Sequence, residues 1–112
     1  MKIAIASQGK SLESKVSDFF GRCPFFVIVE IEDGKVAKFE AIENPSAKQL
    51  GGAGISAAKT VAEKADAVIA KNIGPRALSI LQQFNMEIYL AEAETVQENV
   101  EKFLEGKLKK LG

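Results

Sequence analysis

Residues 51–77 have the sequence GGAGISAAKTVAEKADAVIAKNIGPRA, which contains the pattern that defines the fold class. Apolar residues at helical spacing predict an amphipathic helix from about Gly52 to Lys64. The short apolar run at 67–70 (AVIA) predicts a buried strand, and Pro75 is suited to the first position of another helix. A helix, a strand and a second helix in this order favour an α/β fold with parallel strands joined by crossover helices.

The residues before this stretch predict three strands. Lys2–Ser7 alternates isoleucine with alanine after a lysine, and Phe25–Ile31 (FFVIVEI) is a dense apolar run typical of a strand covered on both faces. Asp33-Gly34 then separates this run from Lys35–Ile42. Asp-Gly between two apolar runs indicates a hairpin, because the turn needs positive φ, so the second and third strands are predicted to be antiparallel.

The residues after this stretch predict one more strand and one more helix. Met86–Leu90 is the fifth strand, and Thr95 with Glu98 forms a capping box for a helix that ends at Gly106. The predicted buried positions are Ile55, Ala58, Val61, Ala62 and Ala65 in the first helix, Ala77, Leu78, Leu81 and Phe84 in the second, and Val96, Val100, Phe103 and Leu104 in the third.

The order β, β-hairpin, α, β, α, β, α predicts a mixed five-stranded sheet with the second strand antiparallel and helices on both faces. The length of 112 residues is typical of one domain, which we expect to span residues 1–112.

The amino-acid composition argues against several classes of function. Fifteen basic residues balance fifteen acidic ones, which argues against nucleic-acid binding. One cysteine cannot form an internal disulfide, so we expect a reduced, cytoplasmic protein. No apolar run approaches the ~20 residues that a membrane-spanning helix needs. The absence of histidine excludes a Ser-His-Asp triad, a Cys-His dyad and a histidine zinc site within one chain.

The first candidate motif is Gly51-Gly52-Ala53-Gly54 at a predicted helix start. Helix starts carry about half a positive charge and unpaired N–H groups, and glycines let an anion approach them closely. Gly52 and Gly54 also fit a dinucleotide fingerprint, but no strand leads into them and no acidic residue follows at the expected distance. Tight helix–sheet packing explains the glycines equally well.

The second candidate motif is Gly74-Pro75-Arg76 after the AVIA strand, where Arg76 adds a donor fork suited to oxyanions. If this strand lies beside the first one, the two chain connections leave in opposite directions. Ligands of open α/β sheets favour such switch points, so Ser7 at the end of the first strand would face Gly74. The alternative is an ordinary helix entry with a solvated arginine.

The third candidate is Cys23 within Phe19-Phe20-Gly21-Arg22-Cys23-Pro24. A neighbouring Arg22 could lower the pKa of the thiol and favour a metal-binding thiolate. The alternative is a small buried apolar residue. One thiolate cannot hold an iron–sulfur cluster alone, because such clusters typically need four ligands.

Together these segments resemble the dinitrogenase iron–molybdenum cofactor biosynthesis family, which includes NifX-type carriers and the C-terminal domain of NifB-type proteins. The resemblance rests on MKIAIAS, SDFFGRCPFF, the Asp-Gly hairpin, residues 51–77, NMEIYLAE and TVQENVEKFLEGKL, and so covers nearly the whole chain. It implies a ribonuclease-H-like three-layer fold. Some relatives carry a histidine near the glycine loop, where this chain has Gly51.

The resemblance implies a non-catalytic carrier for an anionic iron–sulfur or iron–molybdenum type cluster or its precursor. The site residues are then Ser7, Gly52, Gly54, Gly74, Arg76 and Arg22 for the anion, with Cys23 as the candidate metal ligand. Cluster-assembly or acceptor proteins would be its partners, and the chain would be a monomer or weak homodimer. The alternative is a metal-free small-anion or protein-interaction module. A metal-dependent nuclease is disfavoured because the first strand has no carboxylate.

Overall fold

The computed structural model describes residues 1–111, which form three helices and six strands within one sheet. The sheet order is β3-β2-β1-β4-β5-β6. β2 is antiparallel to both of its neighbours, whereas β4 is parallel to β1 and to β5, as the sequence predicts. The elements are β1 Lys2–Ser7, β2 Phe25–Glu32, β3 Lys35–Glu43, α1 Ala53–Lys64, β4 Ala67–Ala70, α2 Pro75–Gln83, β5 Glu87–Leu90, α3 Val96–Leu104 and β6 Lys110–Leu111.

The predicted count of five strands is wrong, because the described residues include a sixth strand. β6 consists of Lys110 and Leu111 and pairs antiparallel to β5. Two residues carry no periodicity of their own, so this strand exists only through its partner. The hairpin between β2 and β3 is confirmed, since Asp33 and Gly34 have φ of 53° and 74°.

The sheet is covered on both faces, which confirms the three-layer arrangement. One face packs against α1 and α2 through residues such as Ala4, Ile28 and Val61. The opposite face packs against α3 and the segment after β1 through residues such as Ile5, Val29 and Val100. Alternate residues of β1 therefore serve opposite faces of the sheet, as strand geometry requires.

The buried faces of two helices differ from the prediction. Phe84 at the C-cap of α2 and Leu104 at the last position of α3 are exposed. Asn99 is fully buried in α3 instead. Its side-chain oxygen accepts the N–H groups of Glu92 and Ala93, and its amide donates to the Ala93 carbonyl, so this buried amide fixes the β5–α3 loop.

The topology places two helix starts at one end of the sheet. β1 lies between β2 and β4, and its connections leave this boundary in opposite directions. α2 begins just after the carboxyl end of β4, and α1 runs antiparallel to β4, so its start lies at the same end. The longest helix in residues 1–111 has 12 residues, and none of the helices there is long and apolar enough to cross a membrane.

Candidate anion-binding cleft

An open cleft of about 370 Å³ lies between the starts of α1 and α2. Three segments line it: Gly21-Arg22 from the loop before β2, Gly52–Ile55 at the start of α1, and Gly74–Ala77 at the start of α2. The lining includes no acidic residue. The two glycine motifs singled out from the sequence thus face one cavity.

The start of α1 offers free main-chain donors to this cleft. Gly52 is the N-cap residue and adopts the left-handed conformation, with φ of 70°, which favours glycine. Its carbonyl accepts the first intrahelical bond, from Ser56. The N–H groups of Ala53, Gly54 and Ile55 therefore have no partner within the helix, and no side chain caps them.

The start of α2 repeats this arrangement with a proline. Gly74 is the N-cap residue, and its carbonyl accepts the N–H of Leu78. Pro75 has no N–H, so Arg76 and Ala77 supply the free donors. The first turn contains no acidic residue and no side-chain cap.

The third helix shows that this chain can cap a helix start. Thr95 accepts the N–H of Glu98 through its hydroxyl, and the Glu98 carboxylate accepts the N–H of Thr95, at 3.1 Å each. A carboxylate near a helix start also balances the positive end of the helix dipole. The two helix starts at the cleft lack both devices, so their positive polarisation is uncompensated by residues 1–111.

Two arginines border the cleft, and they differ in whether their guanidinium groups are already hydrogen-bonded. The Arg22 guanidinium donates to the carbonyls of Gln49 and Leu50 and so holds the loop that leads into α1. Arg76 is exposed and forms no hydrogen bond or ion pair within the described part of the chain. Arg76 is therefore available to a ligand, whereas Arg22 stabilises the loop before α1.

The structure gives different reasons for glycine at the individual positions of the cleft. A Cβ on Gly21 would lie 2.8 Å from the backbone nitrogen of Gly54, and a Cβ on Gly54 would lie 3.3 Å from the Ala77 Cβ. These two glycines allow close packing of the loop and the two helices, rather than the helix–sheet packing that the sequence suggested. Gly74 has an ordinary extended backbone and nothing within 4 Å of its Cβ position. Neither strain nor packing requires glycine there, and its absent side chain leaves the cleft open.

Ser7 lies outside the lining of the cleft, contrary to the sequence-based expectation. It is fully buried, and its hydroxyl donates to the Gly9 carbonyl at 2.8 Å. The backbone of the next residues turns toward Lys15 and Val16 instead of toward Gly74. The segment Gly21-Arg22 occupies the position that the sequence assigned to the turn after the first strand.

Cys23 lies beneath the cleft wall and is fully buried. Its thiol donates to the Phe20 carbonyl at 3.3 Å. Burial raises the pKa of Cys23 to about 12, so the expectation that Arg22 lowers this pKa is wrong. A buried neutral thiol is poorly suited to metal binding, because the thiolate is the form that binds a metal. Within residues 1–111, no three His, Cys, Asp or Glu side chains are grouped to hold a metal ion.

The thiol environment predicts inert chemistry in the native protein. An aromatic disulfide reagent at pH 8 should leave Cys23 unmodified until denaturant is added. Because the pKa is raised above its ordinary 9.0, burial of the neutral thiol stabilises the fold below pH 9, and this contribution is lost as the pH rises toward 12. Rapid labelling of the folded protein would contradict this assignment, and a Cys23→Ala chain should unfold with a weaker alkaline dependence.

The fold and the cleft define a class: small three-layer α/β proteins in which two helix starts face one groove at the sheet's switch point. The particular family follows from comparison. The chain belongs to the dinitrogenase iron-molybdenum cofactor family, whose sequence model matches residues 1–106. The predicted family resemblance is thereby confirmed.

Relatives of known sequence or structure agree with this membership. The uncharacterized protein MJ0580 of Methanocaldococcus jannaschii is 39% identical over 111 residues, which cover 98% of this chain and 91% of that protein. The apo orange protein of Desulfovibrio gigas superposes with a TM-score of 0.89 at 30% identity, covering 99% of this chain and 92% of the other. A NifB-like protein of Thermotoga gives 0.80 at 34% identity, covering 98% and 92%.

Proposed function

We propose that the chain is a non-catalytic carrier that binds an anionic iron–sulfur or iron–molybdenum type cluster, or its precursor, as cargo in the cleft. The observation that carries this proposal is the convergence of two uncapped helix starts on one groove without acidic residues. Free N–H groups and helix dipoles at such starts favour anions. Membership in the cofactor family supports this choice among anions.

The donor set fits an intact anion better than a metal ion. The cleft offers main-chain N–H groups and the Arg76 guanidinium, all of which are donors. A cluster built into a protein typically needs four cysteine ligands, and this chain has one buried cysteine. We therefore expect the cargo to arrive assembled and to be held by hydrogen bonds to its outer atoms, with cluster-assembly and acceptor proteins as partners.

The residues of the cleft also favour a carrier protein over an enzyme. The residues that line the cleft include no Asp, Glu, Cys or Tyr, and the chain has no histidine. General acid–base chemistry relies on such groups within hydrogen-bond reach of the reacting atoms. A wide, open groove also suits release to an acceptor.

Anaerobic loading with a preassembled cluster tests the proposal. The purified protein is incubated with cluster that has been assembled beforehand in solution from iron, sulfide and molybdate, desalted, and examined by visible absorption and metal analysis. We expect a coloured protein with a defined metal-to-protein ratio, and we expect Cys23→Ala to load equally. A colourless, metal-free product from both chains would overturn the proposal.

Arg76 provides a sharper prediction. Arg76→Ala should weaken cargo binding about tenfold or more, because a charge-assisted hydrogen bond contributes roughly 1.5–3 kcal/mol. The melting temperature should change little, since Arg76 is exposed. Lys59→Ala, which removes an exposed cation on the outer part of α1, serves as the matched control. Equal affinity in the two variants would remove Arg76 from the site.

The second candidate function is a metal-free module that binds a small oxyanion. It is favoured by the lack of any grouped set of metal-ligating side chains in residues 1–111. It predicts that phosphate or molybdate alone raises the melting temperature. At a hundredfold excess of ligand over Kd, the free energy of unfolding should increase by about 2.7 kcal/mol. The protein should not take up an iron–sulfur cluster. A coloured protein after incubation with the preassembled cluster supports the cluster carrier, and a colourless one supports the metal-free module.

A further inference from the structure

The outer edge of β3 is a long unpaired strand. β3 has nine residues and stands at the end of the sheet order, so one of its edges has no strand partner within residues 1–111. Val36 and Phe39 on this strand are 38% and 44% exposed. An exposed edge strand of this length is a template for pairing with another chain.

The sequence of β3 is complementary to itself about Phe39. In an antiparallel pair with a two-fold axis at Phe39, Lys38 of one copy faces Glu40 of the other, and Glu40 faces Lys38. Phe39 itself faces Phe39 of the second copy. Opposite charges placed directly across a strand pair stabilise it.

The charges also specify the register. Moving the axis to residue 38 would place Lys38 against Lys38 of the second copy, and moving it to residue 40 would place Glu40 against Glu40. Like charges directly opposite one another destabilise a strand pair. The axis at Phe39 is thus favoured over both of these neighbouring two-fold arrangements.

The local shape of β3 limits the strength of the pair. Ala37 is an extra residue, because the register with β2 shifts between the pairs Glu30–Lys38 and Ile31–Val36. Such bulges bend and twist a strand. The regular contact is therefore centred on Lys38, Phe39 and Glu40, which predicts a weak, concentration-dependent association.

We propose that the β3 edge is a homodimer interface, in which two copies of this chain join their sheets antiparallel about Phe39. The occupant is a second copy rather than a foreign strand, because the charge pattern matches its own reverse. This interface is independent of the anion cleft, so failure of either proposal leaves the other standing.

A charge-swap experiment tests the interface. Sedimentation from about 10 μM to about 1 mM should show a reversible dimer, the range expected for a weak interface under mass action. Lys38→Glu and Glu40→Lys should each raise the dimer dissociation constant at least about tenfold, since each makes the facing charges alike. An equimolar mixture of the two variants should associate as a heterodimer, because unlike charges face one another again.

Charge changes on α1 serve as controls for those on β3. Lys59→Glu and Glu63→Lys on exposed positions of α1 make the same changes in net charge away from β3 and should leave the dimer unchanged. Thermal melts confirm that each variant folds. A wild type that stays monomeric throughout the range, or single variants that dimerise as well as the wild type, would overturn the proposal, and capture of a different protein by the β3 edge would count against the second copy.

Discussion

A Gly74→Asp chain is expected to be more stable than the wild type and yet to lose most of its affinity for the cargo. Gly74 is the uncapped N-cap residue of α2, and its Cβ position has no neighbour within 4 Å. An aspartate there would cap the free N–H groups and balance the helix dipole, which adds about 0.5–1 kcal/mol to the free energy of unfolding. The same carboxylate would occupy the donors and repel an anion.

The expected loss of affinity is large. Losing charge-assisted hydrogen bonds of roughly 1.5–3 kcal/mol corresponds to a factor of about ten to a hundred or more in Kd. Calorimetric titration with the preassembled cluster or with molybdate measures this loss of affinity, and thermal melts measure the gain in stability. Gly74→Asn is the matched control, because it caps the helix without charge and should lose less affinity. A stabilised Gly74→Asp chain with unchanged affinity would place the ligand elsewhere.

Gly21→Ala is expected to damage both the fold and the cleft. The added Cβ would lie 2.8 Å from the backbone nitrogen and 2.9 Å from the Cα of Gly54, so the loop or the start of α1 must move. Overpacking of this kind costs about 1–3 kcal/mol, which lowers the melting temperature by several degrees. Cargo affinity should fall as well, because the displaced α1 start carries part of the donor set.

Gly51→Ala is the matched control for this prediction. Gly51 lies in the same glycine-rich region, but its Cβ position has no neighbour within 4 Å. Alanine at this position should therefore leave the melting temperature and the affinity nearly unchanged. Equal melting temperatures for Gly21→Ala and Gly51→Ala would show that the tight contact between Gly21 and Gly54 is not maintained in solution.

Local chemistry explains why most elements could be predicted from the sequence. The Asp33-Gly34 turn, the capping box of Thr95 and Glu98, and the proline at the start of α2 each satisfy a requirement of the adjacent backbone. β6 could not be predicted, because its two residues form a strand only by pairing with β5. Asn99 resembles an ordinary surface residue in sequence, and its burial follows from the loop carbonyl and N–H groups that it satisfies.

The candidate site was predicted in part for a similar reason. The helix starts at Gly52 and Gly74 are visible in the sequence as glycine motifs, and the parallel β1–β4 pair brings them to one end of the sheet. The position of Ser7 and the burial of Cys23 depend on how the long loop after β1 folds back, which no local pattern determines. Gly21 reveals its role only through its contact with Gly54, 33 residues away along the chain.

A titration followed by backbone amide chemical shifts tests whether the cleft binds the anion. If the cleft binds the anion, the N–H signals of Ile55, Arg76 and Ala77 should shift together and saturate as molybdate or preassembled cluster is added. The capped first turn of α3, with Glu98, provides the internal reference and should stay unshifted. Saturable shifts confined to other parts of the chain, or none at all with either ligand, would show that the cleft is not the binding site.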